Sequence, residues 1–253
     1  GPAHFPAFDT WLLSRYADVT AAALNPKLVR SLDGLIPPEE ITAQTVRDNW
    51  HDMPHHSRFV QFSLLNSDGA VHQRLRKLIF REFTPALINR LQTEVQGFVE
   101  GLCDEVADIR EIDFIEDFAA KIHVIGHLLG VPDEDCPRLR TWSEDIVQYF
   151  DIDRTDARKA LAERTTTEFY TYLLKLSDAR RKSPRDDLMS RLIVEWDAGN
   201  LSEDEYMSTV MLILMAGHGS TIDVLGSGLH ALLRFPDETR RLREDPGLMT
   251  TAV

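Results

Sequence analysis

Cysteine is scarce in this 253-residue sequence: the two present, Cys103 and Cys136, make no disulfide framework. Basic charge is in deficit too, with 28 Lys and Arg against 41 Asp and Glu, a net charge of −13. That balance excludes the basic stripe of a nucleic-acid binder and opposes docking on an anionic membrane. No apolar run approaches the ~20 residues that a membrane span requires. The N-terminus has no basic-then-apolar signal layout, so the expected location is cytoplasmic. Also missing are a P-loop, a G-x-G-x-x-G fingerprint, internal repeats and low-complexity tracts. The one run resembling G-x-S, "GHGST", sits inside a helical stretch and is no nucleophile elbow.

What is there is the material of an ordinary globular protein: 43% hydrophobic and 27% charged residues. With no clear linker, residues 1–253 are read as one mainly helical domain with a small strand component. "DTWLLSRYADV" predicts a short strand, Trp11 to Arg15, then a helix near Asp18 that stops at Asn25-Pro26. Residues 27–70 are polar, Pro-containing and irregular, and "HDMPHH" within them reads as a mobile access loop.

From His72 onward the pattern is nearly all helix. Leu91, Val95, Phe98, Val99, Leu102 and Val106 form one apolar stripe. Phe118, Ile122, Ile125 and Leu129 form another, with Gly130 as C-cap and Pro132 as stop. Helices follow near 138–150 and 155–180, the latter ending in "ARRKSPR", read as a solvated basic end. Ser202 and Glu205 have capping-box spacing and open the longest apolar helix, about 203–234. "FPDE" breaks it, and a last helix starts near Glu238.

Within the long helix, "LILMAGHGSTID" is a core-type run interrupted by small and polar residues. Gly costs about 1 kcal/mol against Ala in a helix, and a buried polar group needs a partner. Ala216-Gly217 lets a flat ligand, or another backbone, lie close to the axis. Ser220 and Thr221 are able to return their hydroxyls to carbonyls one turn earlier. On these residues alone, a close helix crossing with His218 finding a polar partner accounts for the stretch as well as a ligand groove does.

The wider run "LILMAGHGSTIDVLGSGLHALLRFPDE" closely resembles the long central helix of bacterial cytochromes P-450. Three further stretches resemble the same family in the same order: "WLLSRYADV", "DGAVHQRLRKLIFREFTP" and "VIGHLLGVPDED". The resemblance runs from about Phe8 to Val253. It implies a cytochrome P-450-like helical fold, truncated at the C-terminus, and an oxidative tailoring enzyme of bacterial secondary metabolism. By the same resemblance His72 and Arg76 hold heme propionates, and the groove at Ala216 and Gly217 lies over the porphyrin, leaving space for oxygen and substrate. His218, Ser220 and Thr221 become the candidates for proton handling, with Asp223 one turn beyond Gly219. A small-molecule substrate and a ferredoxin-type electron donor are the implied partners.

Two departures cut against that reading. The family places an acid and then Thr after Ala-Gly-x, where this chain has Gly219 and Ser220; glycine relays no proton. The family also ligates iron through a Cys in a Gly-rich C-terminal loop, after a Glu-x-x-Arg helix. The sequence stops at "DPGLMTTAV", before either, and neither Cys103 nor Cys136 has the flanking pattern. Heme b is therefore expected with the complete family fold, and no cofactor if the chain ends naturally at Val253. The rival reading is a heme-free homologue, a non-redox cyclase or a helper of glycosyltransferase-activator type. Either way an uncovered face around Met215, Ala216 and Val224 predicts a homo-oligomer or a partner protein. No metal site is expected: His123 and His127 are four apart but lack the Glu of H-E-x-x-H and any third ligand.

Overall fold

The computed structural model describes residues 1–6, 10–151 and 153–252; Phe8 and Val253, the ends of the family resemblance, lie outside them. A two-stranded antiparallel hairpin, β1 (Ala3–Phe5) with β2 (Thr10–Leu12), opens the chain and pairs His4 with Trp11. The strand expected over Trp11–Arg15 is thus shorter and earlier, and α1 (Tyr16–Ala23) begins at once.

Residues 27–70, expected to be irregular, contain two helices, α2 (Pro38–Arg47) and α3 (Pro54–Gln61). Both carry Pro in their first turn, where the missing N–H costs nothing. The His-dense segment is no mobile loop. Glu163 accepts from the backbone N–H groups of His55 and His56 at 3.1 and 3.0 Å and so caps α3 from a distant helix. His56 is fully buried, bonded to Thr166 at 3.2 Å and ringed by Trp50, Phe59, Tyr149 and Phe150. A capping partner 107 residues away leaves no local trace, which is why the segment reads as a loop.

Next come α4 (Gly69–Phe80) and α5 (Pro85–Val106), the latter capped by Thr84. The apolar stripe expected to continue from Phe118 to Leu129 is broken. A π-turn (Phe114–Phe118) and a 3-10 turn (Ala119–Lys121) precede the short α6 (Val124–Leu129). Gly130 ends α6 in the left-handed region at φ 80°, as its sequence context predicts. A Cβ there would also overlap Asp187 Oδ2, at 2.0 Å.

The remaining helices are α7 (Cys136–Val147), α8 (Asp156–Lys182), α9 (Leu188–Asp197), α10 (Glu203–Arg234), α11 (Pro236–Glu244) and α12 (Met249–Ala252). α11 starts two residues before the expected Glu238 because Pro236 takes its first turn. The basic end of α8 is not uniformly solvated. Arg180 is buried and pairs with buried Asp187 at 2.8 Å, and it donates a second bond to the Gly130 carbonyl.

The capping box at the head of α10 is complete, with Ser202 and Glu205 bonded reciprocally at 3.2 and 2.9 Å. Tyr206, Met207, Val210, Met211, Leu214 and Met215 of α10 enter the main core with Phe169 and Leu173 of α8 and Leu188 and Leu192 of α9. Burial on α10 stops at Ile222; Val224 and Leu233 are exposed. By length and composition α10 is long and apolar enough to cross a membrane, which corrects the expectation that no run approaches that length. Its N-terminal half is core helix here, packed by α3, α6, α7 and α9.

Candidate functional site

The small-residue notch falls where α10 leaves the core, and it serves both alternatives at once. Gly217 is the helix crossing: a Cβ there would lie 2.7 Å from Ile125 Cγ1, so the α6 side chain occupies the space that glycine vacates. Gly219 is the open side, because nothing lies within 4 Å of a Cβ built on it. Ala216, Ser220 and Thr221 are exposed beside it. Ser220 Oγ donates to the Ala216 carbonyl at 2.6 Å and Thr221 Oγ1 to the Gly217 carbonyl at 3.0 Å, the back-bonding that their positions predict.

His218 points elsewhere. Two helical residues two apart are about 200° apart around the axis, so His218 and Ser220 face nearly opposite sides. His218 is buried against α6 and α7, where its ring stacks on His123 with centroids 5.7 Å apart. Burial, with help from His123 and Arg140, lowers its pKa to about 4, and His123 is shifted down for the same first reason. The two rings share a small space with Cys136, Arg140 and Ser143, and His218 Nε2 and His123 Nδ1 have no protein partner there. This placement removes His218 from proton handling at the open notch. In the sequence His123 pairs by spacing with His127, not with His218, because stacking across two helices has no spacing signature. Asp223 is exposed, one turn beyond Gly219.

Met215 does not belong to an uncovered face, contrary to expectation. It is buried and lines an apolar cavity of about 170 Å³ that also touches Ala216. Phe59 and Val60 of α3, Leu65, Val147 at the end of α7, Phe150 just after it, and Leu212 form the rest of its apolar wall. The notch therefore opens beside a space suited to an apolar small molecule.

On α4, His72 and Arg76 are four residues apart and project from one face, as their spacing predicts. His72 is half-buried and Arg76 is exposed, with its guanidinium 4.1 Å above the Phe80 ring. Neither forms an ion pair among the described residues. A neighbouring side chain on α4 behaves differently: Arg74 binds Glu205 and the Asn200 carbonyl, tying α4 to the head of α10. The helix is anchored by Arg74 while its other basic groups stay available.

A heme needs cations for its carboxylates, an uncluttered surface for its ring and an axial donor for iron. His72 and Arg76 fit the first need in kind, and the open side of α10 at Gly219 fits the second. The two cysteines do not fit the third. Cys103 is exposed on α5; Cys136 is buried, donates to the Pro132 carbonyl at 3.6 Å, and has its thiol pKa pushed up to about 11 by burial. No group of three or more His, Cys, Asp or Glu is arranged to hold a metal ion among the described residues.

No family model matches the chain. Individual proteins do. It is 32% identical over 249 residues to the polyketide biosynthesis cytochrome P-450 PksS of Bacillus subtilis, covering 97% of this chain and 58% of that protein. It is 31% identical over 256 residues to 6-deoxyerythronolide B hydroxylase of Saccharopolyspora erythraea, covering 100% of this chain and 61% of the relative. The structure superposes on that of a myxobacterial cytochrome P-450 in complex with myristic acid with a TM-score of 0.86 at 35% identity, again 100% of this chain and 61% of the other. The chain thus spans about three fifths of the length of the relatives it matches. Full-length coverage of this chain, in sequence and in structure, places it in the bacterial cytochrome P-450 family.

Proposed function

We propose that this chain is the N-terminal and central part, as a single domain, of a cytochrome P-450-type oxidative tailoring enzyme of bacterial secondary metabolism. The observation that carries the reading is the open side of α10 at Gly219, which lies next to the apolar cavity at Ala216 and Met215. His72 and Arg76 would hold the heme propionates, and Ala216, exposed on the open side of α10 with Gly219, would lie over the ring, whereas Gly217, expected to do the same, is taken up by its packing against Ile125. When bound, heme supplies the iron at which dioxygen is activated; its thiolate ligand would come from a segment outside this sequence. The protein's own residues bind the substrate in the apolar cavity, exclude water there, and position Ser220 and Thr221 at the edge of the notch.

Ser220 is the proton donor on this reading. Its hydroxyl is now held by the Ala216 carbonyl, so it must rotate away, or work through water in the space beside Gly219. A small organic substrate, a ferredoxin-type donor, a cytoplasmic location and an oligomer or partner protein belong to the same proposal. The heme-free alternative, a cyclase or helper protein, draws support from Gly219 standing where the family has an acid. Visible absorbance of the purified protein supplied with hemin separates the two. A Soret band supports the oxygenase reading, and its carbon-monoxide difference spectrum should lack the thiolate-type band. A protein that takes up no hemin supports the heme-free relative.

A further inference from the structure

The cavity beside the notch has a feature that an all-purpose apolar pocket does not need. Its lining is hydrocarbon and aromatic except for Ser63, Asn66 and one formal charge, Arg30. Ser63 is already used, its hydroxyl accepting from Leu65 N–H at 3.2 Å. Arg30 is exposed and makes no ion pair among the described residues, in a sequence with 41 acidic groups against 28 basic ones.

Its position is built rather than incidental. Asp68, at the head of α4, accepts from the backbone N–H groups of both Arg30 and Ser31 through one carboxylate oxygen, each at 2.7 Å. Those two bonds pin the segment against α4, and they hold the Asp68 carboxyl below its ordinary pKa, with the Ser31 N–H the larger contribution. Asp68 is thereby bonded to the backbone of this segment and attracts the Arg30 charge without forming an ion pair with it, and no carboxylate lies among the residues lining the cavity. An unpaired guanidinium at the rim of an apolar cavity is complementary to a molecule with a carboxylate at one end and hydrocarbon at the other.

We infer that the cavity between α3, α7 and α10 takes an amphipathic carboxylate, with Arg30 binding the acid head and Phe59, Phe150, Leu212 and Met215 enclosing the apolar body. The inference rests on the cavity being the substrate pocket, as proposed above, and adds the chemical class of its occupant. Arg30 then selects among apolar molecules by charge, and orients the bound one with its hydrocarbon end toward Ala216 and the notch.

The test is binding of decanoate and of decanol, followed by quenching of intrinsic tryptophan fluorescence or by calorimetry, at low and high salt. Wild-type protein should bind decanoate more tightly than decanol, and added salt should weaken only decanoate. Arg30→Gln should weaken decanoate by about tenfold or more, as loss of a charge-assisted pair does, while decanol binding is unchanged. Arg30→Lys should restore part of the loss. If decanol and decanoate bind equally, and Arg30→Gln changes neither, Arg30 is no selector although the apolar pocket stands. If neither probe binds, the pocket reading fails together with the inference.

Discussion

Ile125 fills the volume that a side chain at position 217 would need: an added Cβ would meet Ile125 Cγ1 at 2.7 Å, Cδ1 at 2.9 Å and Cβ at 3.0 Å. Two residues further along the same helix, Gly219 faces open space. The two glycines of one short motif thus answer to different demands, one to packing and one to access.

Alanine at each position should therefore act in opposite directions. Gly217→Ala overpacks the α6–α10 crossing and should cost roughly 1–3 kcal/mol. Gly219→Ala meets nothing and should gain up to about 1 kcal/mol from helix propensity. Chemical denaturation of the two variants measures both. Similar losses at 217 and 219 would contradict the assignment of the notch's two sides. By the same openness Gly219→Glu buries no unpaired charge and should leave the fold intact.

Much of α10 was legible beforehand because its signals are local. The capping box needs only Ser202 and Glu205, and the back-bonding of Ser220 and Thr221 needs only the i−4 carbonyls. The sides of the notch were not legible, since they depend on Ile125, some ninety residues away. The burial of Arg180 is hidden for the same reason: in "ARRKSPR" it looks like its solvated neighbours, and only the fold brings Asp187 and Gly130 to it. His72 and Arg76 read correctly as one helix face, whereas His218, adjacent in sequence to the notch, turns into the interior to stack on His123.

The Arg180–Asp187 pair yields a stability prediction. Both groups are buried, and Asp187 also caps α9 by accepting from Ser190 N–H at 2.7 Å. Asp187→Ala leaves a buried guanidinium without its counter-charge and removes the cap. A loss of about 3–5 kcal/mol is expected, large enough to show as a reduced midpoint in urea or guanidinium. Arg181→Ala, whose partner Asp197 is exposed, should lose less than about 1 kcal/mol.

Acid should destabilise the protein through two buried histidines. Burial lowers His56 and His218 from 6.5 to about 4, opposed at His56 by Glu163 and reinforced at His218 by His123 and Arg140. Between those values the unfolded chain binds protons that the folded one does not. Stability therefore falls as pH drops from about 6.5 to about 4, by on the order of 3 kcal/mol for each group. His218→Gln should remove its share and flatten the fall of Tm across that window. An unchanged slope would mean that His218 is not held neutral by the fold.

Heme placement tests the account most directly. Hemin titrated into the purified protein should give a saturable Soret change at one equivalent, and His72→Ala/Arg76→Ala should abolish it while the far-ultraviolet circular dichroism stays helical. Uptake by the double variant with the affinity of the wild type would contradict the assignment of these two cations on α4 as the propionate site.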